Sequence, residues 1–169
     1  MYQIRIAKNL DDATSASRIY ATSWKSAYKD IFSDKLLEEI TLDFWVEAFV
    51  SNYETHRYKV AILSFNGKDV GAGGYGFSRD YQGDEWGEIT SIYFLPEVWG
   101  EGLSEQLLDF MINDLQKTGY LKIHLWVLSD NLRAQRFYEK YGFCRTENER
   151  SISFKGVEKN EMEYALKGV

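Results

Sequence analysis

Cysteine, histidine and proline are nearly missing from this chain of 169 residues, which holds one cysteine, two histidines and one proline. A lone Cys144 excludes an intrachain disulfide and a cysteine-rich metal site. His56 and His124 stand apart, and neither sits in an HExxH frame, so a zinc enzyme of that type is excluded and no metal is expected. No basic stripe or tail is present, and the formal net charge is −6, which argues against a surface that tracks nucleic-acid phosphates. Small cationic molecules are the easier partners for such a chain. No apolar run approaches the length that spans a bilayer, and the opening MYQIRIAKNLDD is charged where a signal peptide is apolar. The expectation is a cytoplasmic protein with no membrane partner.

What is present describes an ordered globular chain: 44% hydrophobic and 27% charged residues, with an aromatic share of 16%. Its length suits one domain over residues 1–169, burying roughly 70% of the unfolded surface. With 12 Tyr and 5 Trp, aromatic side chains are available both for the core and for a pocket wall.

The periodicities order the chain. Gln3 to Ala7 alternate as a strand, and Asn9 to Asp12 offer caps for a helix running towards Tyr28. Helical pieces DKLLEEI and DFWVEAFVS follow, broken at Thr41 to Asp43. Tyr58 to Phe65 and Val70 to Ser78 read as a hairpin around a turn at residues 66–69. Leu121 to Leu128 reads as a buried strand, and Asp130 or Asn131 caps a helix through Lys140. Two strands, around Arg150 to Phe154 and Glu161 to Leu166, close the chain. Cys144, without a paired base, reads as a small buried filler.

Between the hairpin and the buried strand lies GEITSIYFLPEVWGEGLSEQLLDFMINDL, residues 87–115. Its apolar run Ile89, Ile92, Phe94 and Leu95 is strand-like, and Pro96 and Gly100 punctuate it. Leu103, Leu107, Leu108, Met111, Ile112 and Leu115 then recur at helical spacing. Gly100 and Gly102 therefore stand at the start of a helix whose leading N–H groups lack internal partners, a place suited to a phosphate. Strand, helix and strand in this order imply a right-handed crossover and a parallel strand pair, hence a mixed α/β sheet with helices on both faces. A second glycine run, Gly71-Ala72-Gly73-Gly74-Tyr75-Gly76, satisfies GxGxxG literally. The FSRDYQGDEW that follows has no helical stripe, which refuses a dinucleotide turn, and no Gly-Lys-Ser/Thr is there to form a Walker loop.

Two motifs together carry a resemblance. Trp99-Gly100-Glu101-Gly102-Leu103-Ser104 aligns with a Gln/Arg-x-x-Gly-x-Gly/Ala signature, and Asn131, Ala134, Phe137, Tyr138, Gly142 and Phe143 follow in a matching Asn, Ala, Phe-Tyr, Gly-Phe pattern. The chain resembles the GNAT superfamily of acetyl-CoA-dependent N-acetyltransferases over nearly its whole length, and the SWKSAYKDIFSDKLL segment from Ser23 to Leu37 resembles a bacterial subgroup. Trp99 and Ser104 depart from the signature, and Glu101 and Glu105 place carboxylates where an anion would sit. Arg133, Arg136 or Lys140 on the next helix are expected to offset them.

The resemblance implies a mostly antiparallel GNAT-like sheet with one parallel pair, acetyl-CoA as co-substrate, and direct transfer of an acetyl group to an amine. It also implies contacts to the cofactor from Ile92, Tyr93 and Phe94 along the strand, from the turn Trp99, Gly100, Glu101, Gly102, Leu103 and Ser104, and from Asn131 and Tyr138. Many relatives are dimers, so a homodimer is a further implication. A free alkylamine has a pKa of about 10 and must lose a proton before attack. Glu88 is the candidate base, matching a position where some GNAT enzymes carry one; a solvent-facing strand-end carboxylate is its other reading. Tyr138 is the candidate acid for the departing thiolate, with core packing as the alternative. Asn131 either bonds the pantetheine arm or caps its own helix. Trp24 and Tyr28, one helical turn apart, form either an aromatic wall for a cationic amine or part of the core. Asp80, Asp84, Glu85 and Trp86 offer a second wall. The acceptor is expected to be a small cationic amine or polyamine; a non-catalytic acyl-CoA-binding or sensor domain is the alternative.

Overall fold

The computed structural model describes residues 1–83 and 85–166, in which seven strands form one sheet in the order β1-β2-β3-β4-β5-β7-β6. Along the chain these are β1 (Tyr2–Ile6), α1 (Leu10–Ala27), α2 (Asp34–Glu38), α3 (Val46–Thr55), β2 (Tyr58–Phe65), β3 (Lys68–Phe77), β4 (Trp86–Phe94), α4 (Leu103–Thr118), β5 (Lys122–Leu128), α5 (Leu132–Tyr141), β6 (Phe143–Phe154) and β7 (Val157–Leu166). Only β4 and β5 run parallel; every other neighbouring pair is antiparallel. That is the mixed sheet expected from the strand–helix–strand order, since parallel neighbours need a crossover such as α4.

Gly73 and Gly74 show where the layers lie. A Cβ on Gly73 would meet Met111 Sδ of α4 at 2.9 Å, whereas one on Gly74 would approach the Tyr20 hydroxyl of α1 at 3.6 Å. Successive strand residues face opposite sides, so α4 and α1 cover opposite faces. The literal GxGxxG run is thus the middle of β3, and its glycines admit close neighbours rather than a nucleotide: a Cβ on Gly71 would fall 2.2 Å from the Phe94 ring.

Local signals fix the helix ends. The Asn9 side chain accepts from Asp12 N at 2.9 Å to start α1. Helix α4 is bounded by two left-handed glycines, Gly102 (φ 75°) and Gly119 (φ 112°), and buries Leu103, Leu107, Leu108, Met111, Ile112 and Leu115. Each such burial contributes about 1.5–3 kcal/mol before entropy, which makes this stripe the main anchor of the helix.

Some boundaries move. The hairpin turn is the two-residue Asn66-Gly67, both with positive φ (50° and 80°), so β3 begins at Lys68 rather than Val70. Helix α3 starts only at Val46, after turns over 42–45. Strands β6 and β7 are longer than their apolar runs suggest, because β6 continues through a register shift between Arg145 and Glu149. Cys144 is exposed, not a buried filler: on edge strand β6 its neighbour Phe143 takes the inward position and turns Cys144 outward.

Candidate functional site

Strand β4 departs from regular pairing at Thr90. Gly74 pairs with Ser91 and Tyr75 with Ile89, leaving Thr90 as the extra residue of a bulge. On the other edge, β4 and β5 are paired only from Trp86–Lys122 to Ile89–Leu125, although β4 runs to Phe94 and β5 to Leu128. Beyond Ile89 the two strands part, and alternate backbone N–H and C=O groups along β4 lose their partners on that side. Ser91 holds the bulge from the opposite edge. Its hydroxyl bonds the Tyr20 phenol of α1 and accepts from Gly74 N at 3.1 Å.

A cleft of about 220 Å³ fills the gap. Ile92, Tyr93 and Phe94 line it from β4, Trp99 and Ser104 from the glycine turn and α4, and Asn131, Arg133, Phe137 and Tyr138 from α5 and its cap. Ser23 comes from α1 and Tyr28 from its C-cap, Trp126 and Leu128 from β5, and Glu161 from β7. Eight expected site residues therefore meet in one place: Tyr28, Ile92, Tyr93, Phe94, Trp99, Ser104, Asn131 and Tyr138.

At one end stands the glycine turn. Gly100 and Gly102 have φ of 87° and 75°, the left-handed region that favours glycine, and a Cβ on either would meet nothing within 4 Å. No side chain caps α4, so its leading N–H groups, including those of Leu103 and Ser104, are left to a ligand. These features fit a pyrophosphate. Trp99 donates its indole N–H to Phe94 O at 2.9 Å, and the Arg133 guanidinium lies 3.8 Å from the centre of its ring. In place of a polar signature residue, Trp99 thus offers a flat surface that carries a cation to the turn. Lys140 lies 3.7 Å from Glu105, so two of the three expected offsetting cations are in position. Both Glu101 and Gly102 sit on the open side of the turn, exposed.

In the middle of the cleft is Tyr138. Its ring packs on Phe137 and Phe143 (centroids 5.2 and 5.7 Å), while its hydroxyl finds no hydrogen-bond partner among the described residues. Burial, with a smaller contribution from Tyr93, pushes the phenol above its ordinary pKa and keeps it protonated. Tyr28 and Tyr93 face each other with 3.2 Å between hydroxyl oxygens, and burial raises both. Asn131 accepts from Ala134 N at 3.1 Å, so its carbonyl oxygen caps α5 and its amide N–H₂ remains for another partner.

Other expected residues lie elsewhere. Glu88 is 1% exposed, which rules out the solvent-facing reading. Arg79 encloses its carboxylate through Nη2 (2.6 Å), Nε (3.1 Å) and its own backbone N (3.1 Å), and Glu88 does not line the cleft. Trp24 stands behind Tyr28 in an aromatic cluster with Phe32 and Phe154. Glu85 pairs with Lys122 at 3.0 Å and Trp86 stacks on Tyr81. Asp80 accepts from Trp126 Nε1 at 2.8 Å, which places it at the rim, while Asp84 lies outside the described residues. Asp80, Glu88 and His124 bring ligand-type atoms within 4.8 Å of one another, but Trp126, Arg79 and Ser78 already bind them. Glu161 and Trp126 were not anticipated: both lie on strands whose apolar alternation reads as ordinary sheet, and only the pairing of β5 with β7 brings them together.

Comparison with known proteins follows the same outline. The model of the acetyltransferase (GNAT) family matches residues 17–143. The chain is 31% identical over 94 residues to spermine/spermidine N(1)-acetyltransferase of Bacillus subtilis, a match covering 53% of this chain and 62% of that protein. Across the curated relatives it matches, the chain spans 42% to 62% of their length. Among solved structures, the PaiA N-acetyltransferase of Thermoplasma acidophilum in complex with coenzyme A superposes with a TM-score of 0.72 at 19% identity, covering 95% of this chain and 98% of that one. The ribosomal-protein-S18-alanine N-acetyltransferase of Escherichia coli gives 0.70 at 22% identity, covering 98% and 93%. At these identities the structures speak for the fold, and the family match speaks for descent: this chain belongs to the GNAT acetyltransferase family.

Proposed function

We propose that the protein is an N-acetyltransferase that moves an acetyl group from acetyl-CoA directly to the primary amine of a small cationic acceptor. The observation that carries this reading is the Tyr138 hydroxyl, without a hydrogen-bond partner among the described residues, in a cleft that begins at an uncapped glycine turn. In this reading the N–H groups of residues 100–104 and the Arg133 guanidinium hold the pyrophosphate of the donor. The unpaired edge of β4 at Ile92, Tyr93 and Phe94 holds its pantetheine arm, together with the free amide of Asn131. Main-chain donors on that edge are fixed before reaction, which suits them to polarise a thioester carbonyl.

The acceptor enters from the side of Tyr28, with Trp24 behind it. Its neutral nitrogen attacks the carbonyl carbon, the carbon–sulfur bond breaks as Tyr138 gives its proton to the departing sulfur, and the proton shed by the acylated nitrogen returns through water to the Tyr138 phenolate. Glu88 stands on the same strand and acts as base only if Arg79 releases it. Support for an amine acceptor comes from the relative named as a spermine/spermidine acetyltransferase, while the named S18-alanine enzyme shares the fold with a different acceptor.

A thiol-release assay with acetyl-CoA against a panel of amines tests this. Amine-dependent release, lost in Tyr138→Phe, is the expected result. Tight coenzyme A binding with no release for any amine would favour a non-catalytic acyl-CoA sensor instead.

A further inference from the structure

Among the described residues the cleft is lined by one cation and one anion, Arg133 and Glu161, and each keeps different company. Arg133 rides on Trp99 beside the glycine turn. Glu161 stands on β7, in register with Leu128 of β5 and Arg150 of β6, and its charge acts on the phenols of Tyr28 and Tyr93 across the cleft. A channel polarised in this way suits an anionic donor at one end and a cation at the other.

The Glu161 carboxylate is only half used. Its Oε2 accepts from Arg150 Nε at 2.8 Å, and Oε1 has no donor among the described residues. Arg150 does not neutralise the site, because it is shared: its Nη1 lies 3.3 Å from Asp80 Oδ1, and its guanidinium stacks 4.2 Å over Trp126. One guanidinium thus serves two carboxylates, and an excess negative charge remains beside aromatic walls. A carboxylate oxygen in such a partly desolvated place recognises an ammonium group with a charge-assisted hydrogen bond. Glu88 offers nothing comparable, since Arg79 occupies both of its oxygens.

We propose that Glu161 is the specificity-determining carboxylate of the acceptor subsite, binding an ammonium group of a cationic amine through Oε1. This rests on the reading of the cleft as the place where donor and acceptor meet. Arg150, held by Asp80 and Trp126, acts as a positioning residue that fixes the carboxylate plane.

Calorimetric titration of spermidine into the coenzyme A-saturated protein tests the assignment. Glu161→Gln is expected to weaken spermidine binding roughly ten-fold or more, the loss of one hydrogen bond to a charged group, while coenzyme A affinity stays within about two-fold. Glu161→Asp keeps the charge and is expected to recover part of the affinity. Equal losses in the two variants, unchanged binding in Glu161→Gln, no saturable spermidine binding by the wild-type chain, or a loss confined to Glu88→Gln would each overturn the proposal. Spermidine binding that needs Glu161 but yields no thiol release would uphold it and sink the transferase reading instead.

Discussion

Ser78 donates its hydroxyl to Nε2 of His124 over 2.6 Å, and both residues are buried. The direction is fixed by what else Ser78 does: its Oγ accepts from the backbone N–H groups of Asp80 and Tyr81, so its own proton is the one left for the ring. The other nitrogen, Nδ1, then carries the ring proton and lies 3.0 Å from Glu163 Oε1, a contact close in distance but bent away from good alignment. Tyr81, Thr146 and Asn148 complete the partners of Glu163. This network ties the segment after β3 to β5, β6 and β7.

A pH dependence of stability follows. Burial lowers the His124 pKa below its ordinary 6.5, against the opposing pull of Glu88, Glu163 and Asp80. The folded state therefore resists a proton that the unfolded chain accepts, so the stabilisation is complete above pH 6.5 and is lost as pH falls below it. Urea unfolding between pH 7.5 and pH 5 should show a falling midpoint, and His124→Asn should flatten that fall while costing about 1–3 kcal/mol at pH 7.5 for the disrupted buried network. A midpoint independent of pH in the wild-type chain would remove His124 from this role.

Tyr138→Phe should lower the turnover number ten-fold or more and leave coenzyme A affinity and thermal stability nearly unchanged. The hydroxyl has no hydrogen-bond partner among the described residues, so its removal strands none of their polar groups. With the phenol held above its ordinary 10.0, its ionisation should not appear as an alkaline limb below pH 10 in the rate profile of the wild-type chain. Stopped-assay rates across pH, with calorimetry for coenzyme A, check both statements.

Arg133→Gln should weaken coenzyme A roughly ten-fold, because a charge-assisted contact to phosphate is lost. The loss should shrink as salt is raised, since screening already weakens that contact in the wild type. Trp99→Leu should reproduce part of the effect without touching any charge, by removing the surface on which Arg133 lies. Titrations at low and high ionic strength separate the two.

Gly102→Asp should weaken coenzyme A by more than Gly102→Ala. Both pay for a side chain at φ 75°, a backbone cost of about 1 kcal/mol, but neither meets a neighbour within 4 Å. Only aspartate adds a charge at the positive end of α4. Equal affinities for the two variants would show that no anion sits at this turn.

Much of this arrangement was legible in the residues alone. The glycine turn, the α4 stripe and the Asn131 cap are local features, and local features are what periodicity and capping record. Tyr138 could be placed because its motif is contiguous. The strand that carries Glu88 is legible, yet its ion pair with Arg79 reaches nine residues back across a hairpin whose geometry no pattern states. Glu161 and Trp126 escaped for the same reason in stronger form. Their partnership with Arg150 exists only after β7 has inserted between β5 and β6, and that order of strands is a property of the whole sheet.

Among the described residues, four pairs, Trp86–Lys122 to Ile89–Leu125, are all the strand pairing that joins β1–β4 to β5–β7. Mechanically the sheet is two plates riveted at one end and open at the other. An occupant that spans the open end, whatever its chemistry, supplies the rungs that the protein leaves out and stiffens one plate against the other. Amide exchange in β4 and β5 should then slow together on binding, and fastest to slow should be the residues beyond Ile89 and Leu125, where the rivets stop.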